Sequence, residues 1–468
     1  MQSIWGRVSA MVLVTVAMLG TVAAGAQAPA GGKRPNIVYI MADDLGYGDV
    51  GCYGQQRIKT PNIDRLANEG RRFTQFYAGD TVCAPSRCVL MTGLHTGHCY
   101  IRGNAKVNLR PEDVTIPEVL NGAGYRSGLI GKWGLGHEGS TGVPTKQGFD
   151  YFYGYLDQTH AHNYYPTFLM RNEERVPLRN VVPDEGPVGQ GLASMKVDYS
   201  HDLMADEALK FIDREKANPF FLYLAFTLPH ANNEAKQNGM EVPDLGEYKD
   251  LDWPENQKRH AAMISRLDRD IGRVMSRLKR NGLDENTLVI FTSDNGPHRE
   301  GGNNPEFNHS SGPLRGIKRS MYEGGIRIPF IARWPGKVEA GSTSDYVGYF
   351  ADLMPTLAEV AGAPSRKGID GISFLPTLLG KASEQKQHPF LYWEFYEQGG
   401  RQGVRMGDWK GIAQPFAGPI ELYNLKDDLG ETKNVAAEHP EVVKAIRAIM
   451  EREHSPSPLW KVSGKPQD

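Results

Sequence analysis

The sequence predicts an α/β protein, in which a mostly parallel β-sheet is flanked by helices and is followed by a smaller C-terminal α+β domain. Three observations support this fold class. Apolar runs typical of strands alternate with amphipathic helical segments along most of the chain. These runs are apolar throughout, as strands of a parallel sheet covered on both faces are. After about residue 380, short strands follow one another across turns and a helix comes last.

The elements of the larger domain follow from where apolar residues, prolines and glycines stand. Thr60-Pro61 is typical of a helix start, and Gly70 and Gly93 are placed to end the first two helices. An apolar stripe with spacings of three or four residues predicts a long helix over 263–278. In chain order the prediction is strand 37–41, helix 61–70, helix 85–91, strand 128–130, helix 198–217, strand 220–226, helix 263–278 and strand 287–292.

The smaller domain is predicted from shorter strands separated by turns. Its predicted elements are strands 391–393, 403–406 and 422–424 and a helix over 440–453. Val443, Ile446 and Met450 share one face of this helix, which suits packing on an antiparallel sheet. We therefore expect a large domain over 35–380 and a small domain with an extended tail over 381–468.

The first 26 residues have the features of a secretory signal peptide. Arg7 precedes an apolar run over 11–19, and Ala24-Gly25-Ala26 fits a small-x-small cleavage site. A membrane anchor is the alternative, but this run is shorter than the about 20 residues that cross a bilayer. We therefore expect residues 1–26 to be removed and the protein to be exported, to the periplasm or outside the cell, without stable membrane insertion.

The charge balance and the cysteine content argue against two classes of protein. Lys and Arg number 53 against 55 Asp and Glu, a net charge of −2, whereas a nucleic-acid-binding protein needs a basic surplus. Four cysteines in 468 residues cannot form a dense disulfide scaffold. The composition is otherwise that of an ordinary globular protein.

Polar side chains stand at or just beyond the ends of four predicted strands. In open α/β sheets, ligands bind outside the carboxyl ends of the strands. Segments that are far apart in sequence are therefore expected to meet at one site. The residues concerned are Asp43, Asp44, Lys132, His230, Asp294 and Asn295.

The segment Cys83-Ala84-Pro85-Ser86-Arg87 resembles the C-x-P-S-R signature of the type I sulfatases, in which the cysteine is oxidised to a formylglycine aldehyde. Further motifs in the family's order extend the resemblance from Pro35 to about Pro458. They are Asp43-Asp44, Gly131-Lys132-Trp133-Gly134, Leu228-Pro229-His230, Ser293-Asp294-Asn295-Gly296, Leu314-Arg315-Gly316-Ile317-Lys318 and 322–327. The resemblance implies an alkaline-phosphatase-like fold and an enzyme, arylsulfatase-like, that hydrolyses sulfate monoesters.

The resemblance also implies a metal site. Asp43, Asp44, Asp294 and Asn295 offer only oxygen ligands, which suit a hard cation. The family makes this ion Ca²⁺, with Mg²⁺ as the fallback, and the formylglycine made from Cys83 completes its shell. A formylglycine-generating maturation enzyme is then a partner of the chain.

The implied mechanism gives each remaining site residue a role. A hydrated formylglycine at position 83 attacks sulfur, Arg87 holds the hydrate, and Lys132 and Lys318 bind sulfate oxygens. His230 protonates the leaving oxygen. Fixed positive charge suits this chemistry because the transition state spreads negative charge over the sulfuryl oxygens. Sulfated carbohydrates are the favoured natural substrates, and small aryl sulfates are adequate artificial ones.

One position departs from the family pattern. Many relatives carry a histidine two residues after the lysine, where this chain has Gly134. There the histidine helps to handle the second proton of the hydrate. We hypothesise that a histidine of the aromatic loop, His160 or His162, enters the site and contacts the substrate instead, with His137 as a further candidate.

Alternatives to these assignments stay open at the level of the sequence. Cys83 has a second interpretation as a buried thiol or as half of a disulfide with Cys88 or Cys99, and Cys88 can instead pair with Cys99. A phosphate or phosphonate ester hydrolase of the same superfamily is one alternative function. A catalytically silent glycan-binding protein, in which Cys83 stays a thiol, is the other.

Overall fold

The computed structural model describes residues 33–364 and 366–461, so the predicted signal peptide over residues 1–26 lies outside the described residues. The described strands are β1 Asn36–Ala42, β2 Arg71–Phe73, β3 Phe76–Tyr77, β4 Arg126–Lys132, β5 Tyr151–Tyr155, β6 Phe168–Arg171, β7 Glu174–Pro177, β8 Phe220–Ala225, β9 Thr287–Ser293, β10 Phe330–Arg333, β11 Ser342–Ser344, β12 Gly348–Tyr349, β13 Leu391–Phe395, β14 Arg401–Met406, β15 Trp409–Ala413 and β16 Ile420–Asn424. The described α-helices are α1 Pro61–Asn68, α2 Cys83–Thr92, α3 Ile116–Asn121, α4 Ser200–Glu215, α5 Glu255–Arg280, α6 Pro305–Asn308, α7 Glu323–Ile326, α8 Leu353–Ala361, α9 Leu375–Leu378 and α10 Pro440–Glu453. None of the helices in these stretches is both long and apolar enough to pass through a bilayer.

A ten-stranded sheet forms the centre of the larger part of the chain, in the order β11-β2-β10-β9-β1-β8-β4-β5-β6-β7. Its five middle strands, from β9 to β5, run parallel, whereas β10, β6 and β7 are antiparallel to their neighbours. The four strands predicted from apolar runs, β1, β4, β8 and β9, lie side by side in this middle region. The predicted fold class is confirmed, and the antiparallel edge strands are additional to it.

Alternate residues of β1 face two separate cores, one on each side of the sheet. Ile37, Tyr39 and Met41 pack into the core that contains α2 and α8. Val38 and Ile40 pack into the core that contains α1, α4 and α5. A strand buried on both faces must be apolar at every position, which explains the continuous apolar run in the sequence.

A four-stranded antiparallel sheet, β13-β14-β15-β16, follows the large sheet, and α10 packs against it. Ile446, Ile449 and Met450 of α10 are buried in one cluster with Val404 of β14. Val443 lies at the margin of this cluster and is only partly buried. The predicted C-terminal α+β arrangement is confirmed, while the position of the domain boundary stays a prediction.

Candidate active site

The carboxyl ends of the middle strands meet at one edge of the sheet, where the predicted site residues follow them. β1 ends directly before Asp43 and Asp44, and β9 ends directly before Asp294 and Asn295. The last residues of these two strands are partners in the parallel register. The pair Asp43-Asp44 and the pair Asp294-Asn295, together called the acidic pairs here, therefore lie side by side. Lys132 is the last residue of β4, at the same edge.

Hydrogen bonds fix the two acidic pairs against each other. The Asp44 N–H donates to Asp294 Oδ1 at 3.1 Å, and Asn295 Nδ2 donates to Asp44 Oδ1 at 2.7 Å. Asp44 has a φ of 66°, a left-handed conformation that is uncommon for a residue with a side chain. Backbone strain of this kind is concentrated at functional sites.

Cys83 is the first residue of α2, which begins two residues earlier than predicted. Its side chain is buried, and Sγ lies 3.3 Å from Asp43 Oδ1. One turn later, the Ser86 hydroxyl donates to the Asp294 carbonyl at 2.6 Å and accepts from the Gly79 N–H at 3.1 Å. The helix N-terminus, with its free N–H groups and partial positive charge, is therefore fixed directly beside the acidic pairs.

Two buried lysines face the first acidic pair. Lys132 Nζ lies 2.7 Å from Asp43 Oδ2, and Lys318 Nζ lies 2.8 Å from Asp44 Oδ2. Burial alone would raise the pKa of Asp43, but the Lys132 ammonium holds that pKa well below its usual range. Lys318 lowers the pKa of Asp44 in the same way, against the effect of burial. Both carboxylates are therefore ionised at neutral pH.

Arg87 connects α2 to the ends of two strands. Its Nη2 lies 2.8 Å from Asp294 Oδ2 and 3.7 Å from Asp43 Oδ2, and its Nη1 donates to the Lys132 carbonyl at 2.5 Å. The guanidinium is almost completely buried. Because Arg87 and Cys83 lie on the same helix, the contacts of Arg87 fix where residue 83 stands relative to the acidic pairs.

His230 lies between Lys318 and Asp44. Its Nδ1 donates to the Ala231 carbonyl at 2.7 Å, so Nε2 keeps its lone pair and accepts a hydrogen bond from Lys318 Nζ at 3.1 Å. Nε2 is also 3.4 Å from Asp44 Oδ2. Burial and the adjacent Lys318 ammonium lower the pKa of His230 to about 3, so the ring is neutral in this arrangement.

The acidic pairs offer the oxygen ligands that a hard divalent cation requires. Asp43, Asp44, Cys83 and His230 offer ligand atoms that all lie within 4.8 Å of one another. Asn295 Oδ1 is buried in the same region and has no hydrogen-bond partner among the residues that the structure describes, although buried polar atoms are nearly always paired. The carboxylates of Asp43 and Asp44 together with the Asn295 amide oxygen fit Ca²⁺ or Mg²⁺, whereas the Cys83 thiol and the His230 ring are donors of the kind that metals preferring sulfur and nitrogen bind.

The two histidines of the aromatic loop lie in different places. His162 stacks on His230, with ring centroids 5.0 Å apart and ring planes at 10° to each other. His160 instead packs against Tyr155 and Phe168, with ring centroids 4.9 and 4.5 Å away. The His160 ring thus packs among aromatic side chains and not against His230, and its contact with the substrate stays a prediction. His162 borders the site and stays a candidate.

A cavity of about 510 Å³ adjoins the start of α2. Asn104 joins the two, since its Oδ1 accepts a hydrogen bond from the Ala84 N–H at 2.9 Å. His137 also lines the cavity, and its ring is 3.0 Å from the Asp157 carboxylate. Gly134 lines the cavity opposite Gln158. The polar side chains that line it are Asn104, Lys106, His137, Asp157, Gln158, Thr159, Arg319 and Glu397.

Glu300 is a residue of this site that sequence reasoning missed. Its carboxylate lies 3.0 Å from Lys318 Nζ and 3.7 Å from His230 Nε2, and it also pairs with Arg319. Glu300 stands in the loop that leaves the active edge after β9. Glu300 follows Asn295 by five residues in the same loop, and this closeness in sequence is the one sign that Glu300 belongs to the site.

All four cysteines lie in the described part of the chain, and each is a free thiol. Cys88 and Cys99 are buried, and Cys99 Sγ donates to the Ile101 carbonyl at 3.2 Å. The alternatives in which Cys83, Cys88 or Cys99 forms a disulfide are therefore not realised in this structure.

The chain is similar to known sulfatases over most of its length. A protein-family model described as Sulfatase matches residues 35–363, and one described as N-sulphoglucosamine sulphohydrolase, C-terminal, matches residues 317–455. Arylsulfatase A of Homo sapiens is 34% identical over 89% of this chain and 87% of that protein. The N-acetylgalactosamine-6-O-sulfatase of Bacteroides thetaiotaomicron is 32% identical over 90% of this chain and 93% of that protein.

A solved structure shows the same likeness in three dimensions. The crystal structure of Ps i-CgsB in complex with k-i-k-neocarrahexaose has a TM-score of 0.77 at 29% identity, covering 92% of this chain and 95% of that chain. The residues matched by the Sulfatase model include β1, β4, β8 and β9, at whose ends the site residues stand. The chain belongs to the sulfatase family and is a sulfuric ester hydrolase.

Proposed function

We propose that this protein is a calcium-dependent sulfatase that removes sulfate from a sulfated small molecule or glycan, through a formylglycine made from Cys83. The position of residue 83 carries this proposal. Cys83 Sγ lies 3.3 Å from Asp43 Oδ1, and the buried positive side chains of Lys132, Lys318 and Arg87 in this site suit an anion. The names of two relatives support a carbohydrate substrate. One is an N-acetylgalactosamine-6-O-sulfatase, and the other holds k-i-k-neocarrahexaose.

A thiol at position 83 is a poor nucleophile in these surroundings. Burial and the adjacent Asp43 carboxylate raise the pKa of Cys83 well above its ordinary value, so the thiol is protonated at neutral pH. Formylglycine at this position would supply a hydrated aldehyde, whose hydroxyl attacks sulfur. We therefore include a formylglycine-generating maturation enzyme among the partners of the chain.

Asp43, Asp44, Asp294 and Asn295 would hold Ca²⁺ beside residue 83, with Mg²⁺ as the fallback. The ion would supply positive charge next to the sulfate oxygens. The buried Asn295 Oδ1 supports this assignment, since it has no hydrogen-bond partner in the described part of the chain and an amide oxygen is a usual ligand of a hard cation.

The side chains around residue 83 would divide the remaining work. Lys132 and Lys318 bind sulfuryl oxygens, and because both ammonium groups are already buried, little reorganisation is needed when the anion enters. Arg87 keeps residue 83 and Asp294 in position. His230 donates a proton to the leaving oxygen, since a bound anion next to Nε2 raises the pKa of the ring from its low resting value.

We also propose that the protein acts after export, in the periplasm or outside the cell, as the signal-peptide pattern in residues 1–26 indicates. Every residue of the proposed site lies between Asp43 and Lys318, within the proposed catalytic domain over 35–380.

The test uses the full chain produced together with a formylglycine-generating enzyme. Mass spectrometry of the peptide that contains Cys83 reports whether oxygen has replaced sulfur. Sulfate release from an aryl sulfate and from sulfated oligosaccharides is then measured with Ca²⁺, with Mg²⁺ and after chelation. We expect Ca²⁺-dependent release, and we expect Cys83→Ala to reduce it more than about a thousandfold. Cys52→Ala, which changes a thiol outside the acidic pairs, serves as the control.

Two outcomes would replace the proposal with an alternative. Faster release of phosphate than of sulfate from matched aryl esters would identify a phosphate or phosphonate ester hydrolase. Binding of sulfated glycan without sulfate release, with Cys83 still a thiol in the presence of the maturation enzyme, would identify a silent binding protein.

A further inference from the structure

Gly134 and Gln158 share one corner of the cavity beside residue 83. Gly134 has a φ of +77°, a conformation that residues with a side chain rarely adopt. A Cβ built on Gly134 would lie 2.3 Å from Gln158 Nε2 and 2.8 Å from its Cδ. The amide of Gln158 therefore occupies the space that a side chain at position 134 would need.

The backbone around Gln158 runs directly beside the end of β4. Lys132 and Tyr155 are partners in the parallel register of β4 and β5. Beyond the strands, the Gly134 N–H donates to the Leu156 carbonyl at 3.0 Å. Gln158, two residues after Leu156, is thus held next to the segment that carries one of the two buried lysines of the site.

The Gln158 amide has an unused hydrogen-bond donor. Its Nε2 is buried and has no partner among the described residues, which is unfavourable for a polar group inside a protein. The cavity that Gln158 lines reaches Asn104, whose Oδ1 holds the Ala84 N–H next to Cys83. An oxygen atom of an anion bound between residue 83 and the cavity would satisfy this donor.

We propose that Gln158 is a substrate-binding residue, whose amide N–H donates a hydrogen bond to a sulfate oxygen of the bound ester. Glycine suits position 134 for two reasons, its positive φ and the space that the Gln158 amide takes, and a side chain there would displace this amide. The proposal rests on the sulfatase function proposed above and adds a residue to it. A neutral donor stands at this place, so Gln158 strengthens the binding of the anion and takes no part in moving a proton.

The first experiment removes the donor and keeps the size of the side chain. In protein matured at Cys83, we expect Gln158→Met to lower kcat/KM for an aryl sulfate about 10- to 100-fold, the range for a hydrogen bond to a charged group. Competitive inhibition by inorganic sulfate should weaken by a similar factor. The melting temperature and the shape of the pH–rate profile should stay as in the wild type. Gln56→Met, at an exposed position, is the matched control.

A second experiment tests the shared space. Gly134→Ala should lower kcat/KM at least about tenfold when Gln158 is present, because the new Cβ displaces the amide. In the Gln158→Ala background, where the space is empty, the same substitution should change kcat/KM less than about threefold. Equal effects in the two backgrounds would overturn the proposal.

The remaining outcomes separate this inference from the proposed function. Unchanged kcat/KM and unchanged sulfate inhibition in Gln158→Met would overturn the role of Gln158 and leave the sulfatase assignment standing. Loss of activity together with a shifted pH–rate profile would make Gln158 a residue that acts on protonation, contrary to the proposal. Absence of sulfate release from the matured wild type would overturn the proposed function itself.

Discussion

At the scale of single residues, charge decides which anion the site accepts. Lys318 faces two carboxylates, Asp44 of the acidic pair and Glu300 of the loop after β9. Burial opposes ionisation of Glu300, but the Lys318 ammonium holds its pKa well below the usual range, so this side chain is negative at neutral pH. A sulfate monoester carries one negative charge and a phosphate monoester carries two. A fixed negative charge at this point therefore disfavours the phosphate ester more.

Glu300→Gln is expected to raise the ratio of kcat/KM for aryl phosphate to that for aryl sulfate about tenfold, since it removes one repulsive charge a few ångströms from the anion. Glu397→Gln is the matched control, because Glu397 also pairs with Arg319, at 3.3 Å, and forms no hydrogen bond with Lys318. Parallel assays of both esters measure the ratio. The same ratio in Glu300→Gln as in the wild type would show that this charge does not set the preference.

Among the site residues, those at the ends of strands have the positions that are easiest to predict from apolar runs alone. Asp43, Asp294 and Lys132 were predictable because the end of a buried strand fixes their position, whatever the loops do. Glu300 and Gln158 were not, since they stand on loops whose path is set by contacts with distant segments. The roles of the site residues stay predictions, and the experiments above test them.

At the scale of elements, the segment after α2 joins the large sheet region to the last helix. His98 Nδ1 lies 3.0 Å from Asp370 Oδ1. His95 Nδ1 accepts a hydrogen bond from the Gly97 N–H, so in the neutral ring Nε2 carries the proton, and it lies 3.3 Å from Glu453 Oε2 in α10. Two neighbouring histidines thus connect the end of α2 with two segments from the far end of the chain.

The pair of His98 and Asp370 makes stability depend on pH. The hydrogen bond to Asp370 raises the pKa of His98 above its ordinary value. A raised folded-state pKa gives a stabilisation that is complete below the unfolded value of about 6.5 and is lost as the pH rises through the folded value. We therefore expect the difference in melting temperature between the wild type and Asp370→Asn to shrink as the pH rises from about 6 to about 9.

Thermal unfolding followed by circular dichroism measures this difference. Asp345→Asn, at an exposed position, should follow the wild type over the whole pH range. A difference between the wild type and Asp370→Asn that stays constant with pH would exclude the pair as its source.

The middle strands were predictable as elements, and the antiparallel edges were not. An unbroken apolar run is required of a strand covered on both faces, as β1 and β9 are. β7 has no buried residue at all, so its four residues carry no apolar pattern. The predicted start of α2 lies two residues too late, because Val82, the residue before the helix, makes no side-chain cap that a sequence could reveal.

At the scale of the whole molecule, a buried ion cluster joins the C-terminal sheet to the region of the site. Lys410 Nζ of β15 lies 2.9 Å from Glu323 Oε1 of α7 and 3.7 Å from Glu431 Oε1, and none of the three side chains is exposed. Glu323 also pairs with Arg327 at 3.2 Å. In this chain the family-like motif over 322–327 therefore forms part of the contact between the two regions.

Lys410→Met is expected to lower the free energy of unfolding by about 3–5 kcal/mol, because it leaves the buried Glu431 carboxyl without its cation and leaves Glu323 with Arg327 alone. Lys433→Met is the matched control, since Lys433 and Glu438 form a 3.0 Å pair whose side chains are 68% and 56% exposed. This pair should contribute less than about 1 kcal/mol. Urea denaturation measures both variants, and similarly small effects would mean that the buried cluster contributes no more than a surface pair.

The burial of α2 has a consequence for how the enzyme comes to be active. Every residue from Cys83 to Thr92 is buried, and Cys83 has only 1% of its surface exposed. A second enzyme that oxidises this cysteine needs access to its side chain, which the folded helix buries. Under the proposed maturation, oxidation therefore precedes folding, during or soon after synthesis. A chain that folds with its thiol intact is trapped in the inactive form until it unfolds again.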